Sequence, residues 1–314
     1  MTSLRAAAVA GLAAAVALWG AGCGNWSQED VRFLAALPTR ADLRVEVPAS
    51  ASAQAGALAA CGTRPAALWL EAKPTSDGLN AAVDFVLDLV DRVRTLEPTT
   101  RTDDERVWGP WNDRNHPGFE LLARIVRAAQ GDLVVHAFSL EARRKGQGDF
   151  VPFISGTFRG PSAKVGTGTL EIDFEVLWTL GINDATTPRG ALNATYDRSG
   201  DPRKVVMQVA SRTALRPFEY RFEGYADGTG GFVYVIPSGV NYLEIASSFD
   251  GAGAGKAAIT FHTIFATVGW AECWDAAACL TYVDDPGNYS CETEPSPPCS
   301  LGAASACPAV PAAP

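Results

Sequence analysis

At 314 residues, with 47% hydrophobic and 19% charged side chains, the chain is too apolar for intrinsic disorder, and its 30 Gly and 20 Pro do not make a collagen-like fibre. It is long enough for a self-sufficient hydrophobic core, so small size is no reason for its seven cysteines. Thirty-five acidic against 26 basic residues give a formal charge of −9, which excludes nucleic-acid binding by counterion release.

Residues 1–22 read as a signal peptide. Arg5 is followed by the uncharged stretch Ala6 to Leu18 and then by small residues. About 13 apolar residues enter a translocon but fall short of the ~20 that a stable span needs. The end of the segment, Gly20-Ala21-Gly22-Cys23, resembles the lipobox of bacterial lipoproteins, although Gly20 stands where that family prefers Leu. The resemblance implies lipidation of Cys23 after cleavage, and Gly24 after the cysteine implies the outer membrane as destination. Loss of Arg5 with the peptide would leave a mature chain one unit more negative.

Residues 23–42 are the lipidated N-terminus and a short helix: Ser27-Gln28-Glu29-Asp30 is a capping-box-like start before Val31, Phe33 and Leu34, and Pro38 is the stop. Residues 43–283 read as a single β-rich domain. The alternation Leu43-Arg44-Val45-Glu46-Val47 predicts a strand, residues 49–63 a low-complexity loop, and residues 67–72 with Trp69 a second strand. Leu79, Val83, Val86, Val90 and Val93 step by four and three, predicting one amphipathic helix over 77–96 that packs on the chain's own sheet and stops at Pro98. Its charges, Asp84, Asp88, Asp91, Arg92 and Arg94, exclude a membrane span.

Period-two patterning then predicts strands over 119–129, 132–143, 150–159, 167–178, 190–197, 203–212, 217–226, 231–237, 241–249 and 256–263. Gly- and Asp-rich turns between them imply antiparallel neighbours. The expected fold class is mainly β (α+β): an antiparallel up-and-down meander of about ten strands curled into a barrel or half-barrel, with the long helix packed on or in it. Residues 284–314 read as a Cys/Pro-rich tail, disordered beyond Cys307.

Setting Cys23 aside leaves Cys61, Cys273, Cys279, Cys291, Cys299 and Cys307, an even number that suits three disulfides in an oxidising compartment. Six cysteines allow 15 pairings that spacing does not resolve. Cys61 would tie the N-terminal region to the C-terminal one. The spacings lack the close pairs of a zinc site, and no metal or cofactor is expected.

Hydrolase-elbow, P-loop and HExxH motifs are absent; of the three histidines His116 lies in a loop, while His136 and His262, within expected strands, read as structural. Glu171, Asp173 and Glu175 read as one solvated strand face. The best recognition candidates are Trp108, Trp111 and Asp113, in an acidic loop, against the alternative that the tryptophans are buried under the helix end. The Glu272-Cys-Trp-Asp275 stretch, the Trp108-Gly-Pro-Trp111 loop and the strand meander resemble uncharacterised lipoproteins of GC-rich myxobacteria, which have no activity to transfer; the expected shape is similar to periplasmic lipid-carrier half-barrels.

The expectation is therefore a non-enzymatic outer-membrane lipoprotein. It would be held by its N-terminal lipid and bind a lipid or other apolar envelope ligand in its sheet. The first alternative is a structural or protein-interaction lipoprotein with a filled interior and an envelope protein as partner, and the second is a secreted hydrolase.

Overall fold

The computed structural model describes residues 26–45, 47, 65–113, 116–162, 164–182, 189–210, 217–285 and 299–314. The signal peptide, Cys23, Cys61 and Cys291 lie outside these residues.

Among the described residues two short helices come first, α1 (Gln28–Ala35) and α2 (Arg40–Leu43), followed by the long α3 (Ala67–Thr95). The strands β1 (Thr100–Arg101), β2 (Glu105–Asn112), β3 (Phe119–Gln130), β4 (Leu133–Arg144), β5 (Val151–Ser162) and β6 (Val165–Asp173) precede a single small helix, α4 (Phe174–Leu180). After it come β7 (Ala191–Asp197), β8 (Arg203–Ala210), β9 (Phe218–Gly224), β10 (Gly230–Ser238) and β11 (Asn241–Phe249). The last are β12 (Gly255–His262), β13 (Thr267–Trp274), β14 (Leu280–Asp285) and β15 (Cys299–Leu301).

Every described strand pairs with its sequence neighbours. The order runs from β1 to β15 without a crossover, all antiparallel, and the two end strands are edges, so the sheet is not closed into a barrel. This topology follows from the turn chemistry, since Gly131, Gly228, Gly239 and Gly253 supply the positive φ that tight hairpins need. The period of two then sorts the side chains. Val205, Phe222, Phe232 and Ser247 face each other along one row, and all four are buried.

That inner face is covered by the helices. Val83, Val90 and Val93 of the expected stripe are buried against it, joined by Leu87, which the four-and-three spacing does not include, while Leu79 is partly buried. Trp69 packs on Trp274 of β13, with ring centroids 5.5 Å apart, and just past the other end of the helix the Leu96 carbonyl accepts from Trp108 Nε1 on β2 at 2.9 Å. The helix thus crosses the sheet from β13 to β2. Next to it α1 carries the expected capping box, with Ser27 Oγ accepting from the Asp30 amide and Asp30 Oδ2 from the Ser27 amide, both at 3.0 Å.

Several expectations are corrected. Residues 67–72 are the first turns of α3, not a strand, and the helix begins ten residues before 77, passing through Pro74 in its third turn. Two hydrogen bonds draw its start onto the sheet: the buried Glu272 carboxylate accepts from the Ala67 and Leu68 amides, filling the place of an N-cap side chain. Residues 43–45 form no strand either; Leu43 ends α2, and Val45 bonds through both backbone groups to the Asn80 side chain, at 2.8 and 2.9 Å. Beyond Asp173 the expected strand turns into α4, because Asp173 caps the Glu175 amide and Gly181 closes the helix in a left-handed conformation. The sheet extends past the expected ten strands, adding β1, β2, β13, β14 and β15.

The tail is corrected as well. Beyond Cys307 it is ordered along the outer face of the sheet, where Ala313 lies beside Gly231 of β10 and Val233 and Ser248 are buried.

Candidate functional site

Trp108 and Trp111 bracket a bulge in β2, where Gly109 adopts a positive φ before the cis Pro110. A Cβ at Gly109 would sit 2.6 Å from the Trp111 ring and 2.8 Å from the Leu121 carbonyl, so only glycine allows this approach. The bulge turns both indoles inward. Trp108 is wholly buried beneath the end of α3 and offers no surface to a partner, while Trp111 is half-buried against the same core. Asp113 Oδ2 lies 2.8 Å from His116 Nδ1 in the β2–β3 connection. The structure therefore brings the two tryptophans together as core and pairs the acid with His116.

The acidic loop beside them is also engaged. Glu105 pairs with Arg124, and the Asp103 and Asp104 carbonyls accept from Arg127. Of the expected solvated face, Glu171 is exposed, Asp173 caps α4, and Glu175 pairs with Arg189 at 2.5 Å.

Cys273 and Cys307 are joined, with an S–S distance of 2.01 Å. Cys279 is also disulfide-bonded. Cys299 stands in β15 opposite Asp285. The Pro65–Cys279 bridge, with the Ala66 amide donating to the Ala278 carbonyl at 3.0 Å, brings the chain just after Cys61 to the C-terminal hairpin.

Sequence reasoning missed a buried ionic cluster under α1, because its members come from four separate segments. Asp30 is wholly buried, accepts from Arg106 Nε at 2.6 Å and pairs with Arg101 at 3.1 Å. Burial pushes its carboxyl up, but the Ser27 amide and the two guanidiniums outweigh this and bring it down to about 2. Phe33 closes the cluster, with Arg106 over its ring at 4.5 Å and His136 edge-on at 5.8 Å. Burial, followed by the charge of Arg127, lowers the His136 pKa, so this imidazole is neutral at pH 7. The only advance signal was Asp30, as the capping partner of Ser27. The arrangement locks the N-terminal segment onto the sheet and presents no nucleophile.

Between α3 and the sheet, Val90, Val93, Phe138 and Ile154 line a gap of about 20 Å³, room for a water but not for an acyl chain. A larger cleft, about 540 Å³, opens on the rim at the β7–β8, β9–β10 and β11–β12 turns, among Asp201, Arg203, Phe222 and Tyr225. Its charged groups are already occupied: Asp201 accepts from the Ala226 amide, and Arg203 donates to the Ala41 carbonyl and lies over the Phe222 ring. Among the described residues no three His, Cys, Asp or Glu side chains are grouped as metal ligands, and no helix is long and apolar enough to cross a membrane.

Comparison with family models, with curated proteins and with solved structures finds no significant match to this chain.

Proposed function

We propose that this chain is a non-enzymatic lipoprotein of the bacterial outer membrane, anchored through Cys23, whose sheet curls round α3 as a filled half-barrel and serves contact with another envelope component. The filled inner face carries this reading. A lipid carrier needs an apolar hollow of several hundred Å³, and among the described residues the gap between α3 and the sheet at Val90, Val93, Phe138 and Ile154 is about 20 Å³. The curl is supported by lengths. From β2 to β13 the sheet spans eleven spacings of ~4.8 Å, roughly 53 Å along its surface, and the 29-residue α3 that joins the two strands is only ~43 Å long. The anchor is supported by the lipobox-like Gly20-Ala21-Gly22-Cys23, and an oxidising compartment by the Cys273–Cys307 bond.

The rim cleft keeps a second reading in view, a small ligand held outside the core beside Phe222 and Tyr225. Intact mass of the exported protein separates these readings. Under denaturing conditions the mature chain should begin at a diacylated or triacylated Cys23 and show a deficit of about 6 Da for three disulfides. Under native conditions it should carry no further adduct; an adduct of several hundred daltons lost on denaturation would replace the contact reading with the carrier or ligand reading.

A further inference from the structure

The most exposed apolar side chains of the described residues are gathered in one place. Phe265 is 91% exposed, Ile264 68% and Val240 60%; Ile264 and Phe265 form the β12–β13 turn and Val240 belongs to the β10–β11 turn. These turns are neighbours, because Tyr242 at the start of β11 pairs with His262 at the end of β12. Behind them Ile236, Leu243, Phe261 and Val268 stand side by side on four adjacent strands, and the outer two of the row are themselves more than a third exposed.

Charge sets the patch apart. Residues 236–243 and 261–268 contain no Asp, Glu, Lys or Arg in a chain of net charge −9. The other described hairpin turns carry a charge: Asp103 and Asp104, Asp132, Lys145 and Asp149, Lys164, Asp201, Asp227, Asp250 and Asp275. Immediately behind the apolar tips Tyr242 and His262 stack with centroids 4.3 Å apart, and tyrosine is a ring that membrane interfaces favour.

From this geometry we propose that the β10–β11 and β12–β13 turns dock the protein onto a phospholipid surface by inserting Val240, Ile264 and Phe265. The shape and size of the patch choose this occupant. The side chains sit on protruding turns and not in a groove, and a stable protein–protein contact needs ~800 Å² and 20–30 residues on each side, far more than two turns present. A bilayer accepts a few inserted side chains, and net negative charge does not oppose insertion through turns that carry none. The proposal rests on the membrane setting proposed above, but its contact is separate from the Cys23 anchor.

Vesicle co-sedimentation tests it, using the chain from Gly24 onward, which retains every described residue and lacks the lipidated cysteine. The probes are vesicles of phosphatidylcholine alone and of phosphatidylethanolamine with phosphatidylglycerol. The unaltered chain should sediment with both. The V240D/I264D/F265D variant should bind at least about 100-fold more weakly with an unchanged melting temperature; F265S alone, a milder change, should give an intermediate loss. Failure of the unaltered chain to bind either vesicle, including failure accompanied by self-association through the same turns, overturns the proposal, as does a triple variant that binds as tightly as its parent. None of these outcomes touches the anchor, which is read from the mass of the exported protein.

Discussion

Asp30 shows how one residue can decide whether a segment belongs to the fold. Its carboxylate closes the capping box of α1 and also accepts from Arg106 and Arg101, so the first helix and the first strands share a single buried charge. Asp30→Asn keeps the shape but leaves Arg106 buried without its counterion, and the expected loss is about 3 kcal/mol, read from the urea midpoint. The pH dependence has a definite sign. The folded pKa, about 2, lies below the ordinary aspartate value of 3.8, so the stabilisation is complete above pH ~4 and is lost as pH falls through 2. An acid titration followed by tryptophan fluorescence should therefore show a transition in that window that is absent from the Asn variant. Lowering the pH from 7 to 5 should leave the cluster intact.

At the scale of elements, the N-terminus of α3 is the instructive case. Two of its leading amides have no helical partner and are answered by Glu272, more than 200 residues later in the chain. Glu272→Ala should cost about 2 kcal/mol, mainly by stranding the buried Leu68 amide, and Glu272→Gln distinctly less, because one amide oxygen still accepts; paired thermal melts check the difference. This contact explains why the helix was only half legible. Leu79 to Val93 declare themselves by periodicity, but Trp69-Leu70 is a short apolar run that suits strand and helix equally, and Pro74 reads as a break until the partner on β13 is known. Leu43 to Val47 mislead in the same manner, since their alternation is real but is answered by the Asn80 side chain and not by a neighbouring strand. The meander from β3 to β12 was legible because its turns and its alternation agree. The tryptophan bulge was not, since nothing local says which way two indoles turn around a cis proline.

For the whole molecule, the tail matters most after the helices. The Cys273–Cys307 bond closes a loop of 34 residues and holds the C-terminal segment along the outer face as far as Gly231. Removing both sulfurs in a C273S/C307S variant should lower stability by about 3 kcal/mol. It should also expose the tail to carboxypeptidase, which mass spectrometry detects as stepwise loss of residues after Leu301, whereas the native tail should resist.

The strictly sequential strand order has a further consequence, for the time course of folding. A chain made from its N-terminus can add each strand to the one before it, and no strand waits for a distant mate. The long helix cannot follow that rule. It is made before any strand, yet the carboxylate that receives its first amides and the indole that covers Trp69 arrive with β13. Until nearly the whole sheet has emerged, α3 has one end without its partner, so its docking is the step that converts a growing meander into a finished core.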